Sequence, residues 1–114
     1  MVEIVDSIKN IWPINPVEIE PTAIIYNWSV IEVSYINTDE KTRHLIGDVP
    51  EKFGRATSAI QNYDSQTKTI TTRSGRMYKL IDGTGYSDDA DYVWQSWKKT
   101  NNVISEKNVS VEYA

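Results

Sequence analysis

The sequence has no cysteine, one histidine, one phenylalanine, and no apolar run near the roughly 20 residues that span a bilayer. Without cysteine, the chain has no disulfides, thiolate metal ligands or cysteine nucleophiles. Its N-terminus also lacks the basic and then apolar order of a signal peptide. We therefore expect a cytoplasmic protein that makes no contact with a membrane.

The chain is the length of one domain. It has 114 residues, of which 39% are hydrophobic and 25% charged, as in ordinary globular proteins. We predict a single domain, residues 1–114, because this length is too short for two independent cores.

Residues 69–81 predict a β-hairpin that turns at Gly75, because short hairpin loops need the left-handed backbone that glycine adopts easily. Two registers compete. A three-residue loop ending at Gly75 places Ile70 on the face of Tyr78, whereas a two-residue loop places it on the face of Met77. The Ser-Gly pair favours the first register, because it suits a type I turn closed by a left-handed glycine.

Residues 87–101 predict a helix that follows the hairpin. Ser87 or Asp88 can cap its start, and the last turn carries Lys98 and Lys99, which favour the negative end of the helix dipole. Apolar residues recur at helical spacing and predict one buried stripe against the sheet: Ala90, Val93, Trp94 and Trp97.

The remaining segments complete an α+β prediction. Residues 1–12 predict a short amphipathic N-terminal helix and residues 13–22 a proline-rich connector. Residues 23–81 predict a mostly antiparallel β-meander of about five strands, with the aromatic-rich C-terminal helix packed on one face. Residues 108–113 predict a short final strand.

Two further features of the sheet are predicted: a change of phase in its first strand and a loop at residues 47–54. The apolar alternation of residues 23–36 changes phase, so either both faces are covered or a bulge inserts one residue. Residues 47–54 predict a loop broken by Pro50.

The net charge of −4 is unevenly distributed. Residues 1–40 sum to −6, residues 41–80 to +5 and residues 81–114 to −3. The basic middle predicts an interaction surface for a protein partner, because arginine and tyrosine anchor interfaces. A solvated, balanced surface is the plainer alternative. The candidate residues are Arg55, Tyr63, Arg73, Arg76, Tyr78 and Lys79.

The remaining motifs do not predict a catalytic, phosphate-binding or metal site. His44 has no serine, carboxylate or second ligand at a useful spacing. The loop at residues 82–85 resembles a phosphate loop, but Asp88 and its acidic neighbours would repel phosphate. That acidic cluster is explained by helix capping. We assign no catalytic, cofactor-binding or metal residue.

Four segments resemble small uncharacterised bacterial proteins, some of which are carried on mobile gene cassettes. The resemblance lies in residues 43–47, 54–60, 72–80 and 92–97. It implies a bacterial accessory protein, with an antagonist of another macromolecule as one variant. It brings no activity and no site residue.

The leading hypothesis is a non-catalytic protein-interaction module. One alternative is nucleic-acid binding through the basic hairpin, which the acidic total disfavours. Another is a small-ligand domain or enzyme with a pocket between helix and sheet, lined by Trp94, Tyr92 or Tyr35. A symmetric homodimer through an edge strand or the N-terminal helix stays open.

Overall fold

Residues 22–51 and 53–114 are described by a computed structural model. The predicted N-terminal helix and the connector up to residue 21 lie outside the described residues. Within them, no helix is long and apolar enough to cross a membrane. The elements in chain order are β1 (Ala23–Tyr35), β2 (Lys41–Val49), β3 (Phe53–Asp64), β4 (Thr69–Thr72), β5 (Met77–Leu80), α1 (Asp88–Thr100), β6 (Val103–Asn108) and a 3-10 turn (Ser110–Tyr113).

The sheet closes on itself. Strands β1 to β5 follow one another as antiparallel neighbours, and the first residues of β1 pair with β5 in parallel. A meander with an odd number of strands brings its first and last strands together in the same direction. Strand β6 adds antiparallel to the second half of β1. The predicted α+β fold with a mostly antiparallel sheet is confirmed. The pairing of β1 with β5, which closes the sheet, was not part of the prediction.

Two apolar cores lie on opposite faces of this sheet. The inner core fills the closed ring and includes Trp28 and Val30 of β1, whereas the outer core lies under α1 and includes Ile31 and Val33. Neighbouring residues of β1 therefore serve different cores, because side chains alternate along a strand. The register also shifts between Tyr26 and Ser29. Coverage of both faces therefore explains the phase change between Val30 and Ile31, whereas the register shift lies earlier in the strand.

The β4–β5 hairpin adopts the three-residue loop. Ile70 lies opposite Tyr78, Gly75 has a φ of 91°, and its N–H donates to the Thr72 carbonyl at 2.8 Å. Ile70 and Tyr78 are buried while Met77 is exposed. The favoured register is therefore confirmed.

Helix α1 begins and ends where the caps predict. The Ser87 hydroxyl accepts from the Ala90 N–H at 3.1 Å and donates to Asp48 at 2.6 Å, which ties the helix start to β2. Ala90 and Trp94 are buried. The helix lies directly on Gly54, where an added Cβ would be 2.3 Å from the carbonyl carbon of Asp89.

Two predicted segments are wrong. The loop at residues 47–54 is mostly strand, and only the turn around Pro50 separates β2 from β3. Its glycines permit close packing instead of turns: a Cβ on Gly47 would lie 2.9 Å from Ile25 Cγ1. The strand at residues 108–113 is a 3-10 turn, because Val109 and Tyr113 enter the inner core while Val111 is 81% exposed.

Candidate functional site

Three of the six candidate surface residues belong to the ends of the inner core. Tyr78 is only 3% exposed, and its hydroxyl accepts from Arg55 Nη1 at 3.2 Å. The Tyr63 hydroxyl donates to the Tyr113 carbonyl at 2.8 Å. Arg55 and Tyr63 lie eight residues apart on β3, roughly 26 Å at 3.3 Å per residue. The structure does not bring these three to one surface.

The other three candidates, Arg73, Arg76 and Lys79, are exposed on the β4–β5 hairpin. Arg73 joins a groove of about 320 Å³ at the hairpin tip, which we call the arginine groove. Its charged and aromatic lining comprises Glu32, Glu40, Lys41, Arg43, Arg73 and Tyr113.

Arg43 is held firmly in this groove. Its guanidinium donates to both Glu112 oxygens, at 2.8 and 3.4 Å, and to Glu32 at 3.4 Å. It also donates to the Tyr113 hydroxyl at 3.3 Å. The hydrogen bonds with Glu112 and Tyr113 raise the pKa of Arg43, and the same guanidinium lowers the pKa of Glu112. Arg43 is therefore held in a fixed orientation in the groove wall, with its charge balanced by Glu112 and Glu32.

The other two cations of the groove are held loosely. Arg73 approaches Glu40 at 3.7 Å, and both side chains are more than half exposed. Such exposed pairs contribute little to stability. Among the described residues, the Lys41 ammonium has no ion-pair partner. Lys41 and Arg73 can therefore pair with an incoming anion at small cost.

His44 belongs to a buried polar network in the outer core. Its Nδ1–H donates to the Thr57 carbonyl at 2.9 Å, and its Nε2 accepts from the Thr42 hydroxyl at 2.7 Å. The neutral ring carries its proton on Nδ1, because the Thr57 carbonyl can only accept a hydrogen bond. Its ring packs 4.3 Å from that of Trp97. Burial lowers the pKa of His44, and the charge of Arg73 adds to this effect. With 2% exposure, the ring has little access to a substrate.

A second concavity lies between α1, the bulge of β1 and β6; we call it the α1 cavity. It has a volume of about 190 Å³. Its lining includes apolar Ile31 and Trp94, the buried Ser29, and the carboxylates Asp91 and Glu106. The predicted pocket between helix and sheet therefore exists and is lined by Trp94, but Tyr92 points to solvent and Tyr35 bonds to Thr42 instead.

The glycine-containing loop at residues 82–85 serves the inner core. The Gly85 N–H and the Thr84 hydroxyl both donate to the Trp28 carbonyl at 2.8 Å. The Trp28 indole donates in turn to the Asp82 carbonyl at 3.3 Å. These bonds occupy two of the donors of this loop, the Gly85 N–H and the Thr84 hydroxyl.

The sequence analysis identified only some residues of the arginine groove and the α1 cavity. It identified Arg73 and Trp94, and it missed Lys41, Arg43, Glu112 and Ser29. In the described part of the chain, no group of three or more metal-binding side chains is placed to hold an ion. Comparisons with protein-family models, with curated proteins and with solved structures found no match to this chain.

Proposed function

We propose that this chain is a non-catalytic protein-interaction module of a bacterial accessory protein, and that it recognises an acidic segment of a partner through the arginine groove. The observation that carries the proposal is the convergence of Lys41, Arg43 and Arg73 on one concave site. These residues come from the basic middle of a chain that is acidic overall. Complementary charge of this kind gives an interface its orientation and speeds association.

The groove combines fixed and adaptable contacts. Arg43 is oriented by its bonds to Glu112, whereas Lys41 and Arg73 are available to pair with carboxylates. Ile60 and Tyr113 add apolar surface to the same lining. A partner segment with two or more acidic residues beside an apolar one matches this arrangement.

A protein partner fits better than a nucleic acid. Glu32 and Glu40 line the same groove, and Glu112 lies against its wall. A phosphate backbone carries negative charge at every nucleotide and would meet these carboxylates, whereas nucleic-acid sites are strongly basic. A peptide can place its acidic residues opposite the cations alone.

The test is an affinity capture from bacterial lysate followed by measurement with the purified partner. Wild type is compared with Lys41→Glu/Arg73→Glu and with Lys68→Glu/Lys99→Glu, a control with the same charge change at exposed positions outside the groove. Parallel samples are treated with nuclease, and circular dichroism verifies that each variant is folded.

We expect a nuclease-resistant protein partner whose dissociation constant rises about tenfold or more in the groove variant and little in the control. The affinity should also fall as salt rises, because exposed charges are screened. Equal weakening in both variants, or loss of capture after nuclease treatment, would contradict the proposal.

A further inference from the structure

The α1 cavity contains a buried hydroxyl with no hydrogen-bond partner in the described part of the chain. Ser29 is 9% exposed and lines the cavity. Among the described residues, its hydroxyl makes no hydrogen bond. Buried polar groups are normally hydrogen-bonded, so an unsatisfied one calls for an explanation. A ligand with an N–H donor at this point would supply the missing bond.

The charges that line the cavity are negative. Asp91 and Glu106 are its carboxylates, and no lysine, arginine or histidine of residues 22–51 or 53–114 lines it. Lys98 forms an ion pair with Glu106 and neutralises its charge. Burial raises the pKa of Glu106, but hydrogen bonds from Lys98 and Trp94 lower that pKa by more, so the net shift is downward. Among the described residues, Asp91 accepts a side-chain hydrogen bond only from the neutral Gln95 amide, at 3.2 Å, and forms no ion pair. The dipole of the α1 N-terminus stabilises its charge, but without a cationic side chain beside it the carboxylate can pair with an incoming cation.

The remaining surfaces suit a small cation with an apolar body. Ile31, Ile46 and Ala90 form an aliphatic floor together with Trp94, and Tyr86 lies at the rim. Aromatic faces attract ammonium groups. The volume of about 190 Å³ is below the range of roughly 300 to 1,000 Å³ that is typical of drug-sized ligands, so the ligand is small.

We propose that the α1 cavity binds a small alkylammonium ion, with its alkyl chain on Ile31, Ile46 and Trp94 and its ammonium between Asp91 and the Ser29 hydroxyl. This site is separate from the arginine groove and shares no lining residue with it. The same chemistry is offered by a free amine and by a lysine side chain.

The binding test uses n-butylammonium as the probe, with n-butanol and butyrate as neutral and anionic analogues of the same length. Amide and indole NMR signals of Ser29, Ala90 and Trp94 are followed at constant ionic strength. We expect saturable shifts of these signals with n-butylammonium and at least tenfold weaker binding of n-butanol. Equal binding of n-butanol, or no saturable shift, would overturn the proposal.

Variants test whether binding requires the negative charge of Asp91 while the fold is kept. Asp91→Asn should weaken n-butylammonium binding about tenfold, as expected for loss of a charge-assisted hydrogen bond, and Ser29→Ala should weaken it less. Asp64→Asn, at the end of β3 and outside the cavity, is the matched control and should bind like wild type. Unchanged affinity in a folded Asp91→Asn variant would also overturn the proposal.

A further arm distinguishes the two sources of the ammonium. Nα-acetyl-lysine methylamide is titrated beside its Nε-acetylated form. Binding of the charged form alone would support the proposal with a lysine side chain as the ligand. Binding of n-butylammonium but of neither lysine derivative would support it with a free amine.

Discussion

The two cores of this protein differ in what they contain. The inner core is mostly apolar, and its polar groups are the tyrosine hydroxyls at its ends, the Trp28 indole and the buried Ser110 hydroxyl, which accepts from the Val30 N–H at 2.9 Å. The outer core lies beside buried His44, receives a carboxylate contact from Glu106, and borders the α1 cavity. In the inner core most of the polar groups bond to nearby backbone, whereas the outer core adjoins a buried histidine, a carboxylate and a cavity. The difference shows that apolar packing dominates inside the ring and that the helix side combines packing with polar contacts.

The largest expected effect comes from Trp94→Ala, which removes a 2% exposed side chain from the outer core. We expect the free energy of unfolding to fall by about 3 to 5 kcal/mol. Hydrogen exchange should show lost protection in α1 and retained protection in β4 and β5, because the inner core keeps its contacts. Trp28→Ala, in the inner core, is the comparison and should lower protection in every strand. Uniform loss in Trp94→Ala would mean that the two cores unfold as one.

A smaller effect is expected from Gly54→Ala, which tests the docking of α1 directly. The added Cβ would lie 2.3 Å from helix backbone, so the helix must move, at a cost of about 1 to 3 kcal/mol for overpacking. Gly83→Ala is the matched control, because a Cβ there meets no atom within 4 Å. Denaturant unfolding should show a clear loss for the first variant and little change for the second. Equal stability of the two variants would show that this close approach is not needed.

The smallest effect concerns pH and the His44 network. The pKa of His44 in the folded state lies below its ordinary 6.5, mainly because of burial. The unfolded chain then binds more protons below that pH, so this contribution to stability is present above pH 6.5 and is lost as pH falls. Unfolding free energies measured from about pH 7 to pH 5.5 should decline in wild type and decline less in His44→Gln. The same slope in both proteins would show that another group is responsible.

Local signals predicted the elements that depend on neighbouring residues. Gly75 identified the hairpin loop and its register, because only three residues lie between Thr72 and Arg76, whose backbones are hydrogen-bonded. The start of the helix followed from Ser87, which caps it, and its last turn from Lys98 and Lys99. Gly47 and Gly54 misled the prediction, because a glycine needed for close packing looks the same in a sequence as a glycine needed for a turn.

The candidate sites were predicted only in part, because their residues are distant in the chain. Arg43 meets Glu112 across 69 positions, and neither residue has a local pattern that marks the pair. Ser29 lies within an apolar strand, where a serine is unremarkable until its burial and lack of a partner are known. The clustering of basic residues in the middle of the chain did identify Arg73.

The sequence by itself determined the fold class, the hairpin, the helix and the excess of cations in the middle of the chain, because each depends on periodicity, turn chemistry or composition. The tertiary structure alone decided that β1 and β5 close the ring, that α1 rests on Gly54, and which cations share a groove with Glu112. These features depend on contacts between residues far apart in the chain. Such contacts form only when the whole chain has folded, so no short segment of the sequence encodes them.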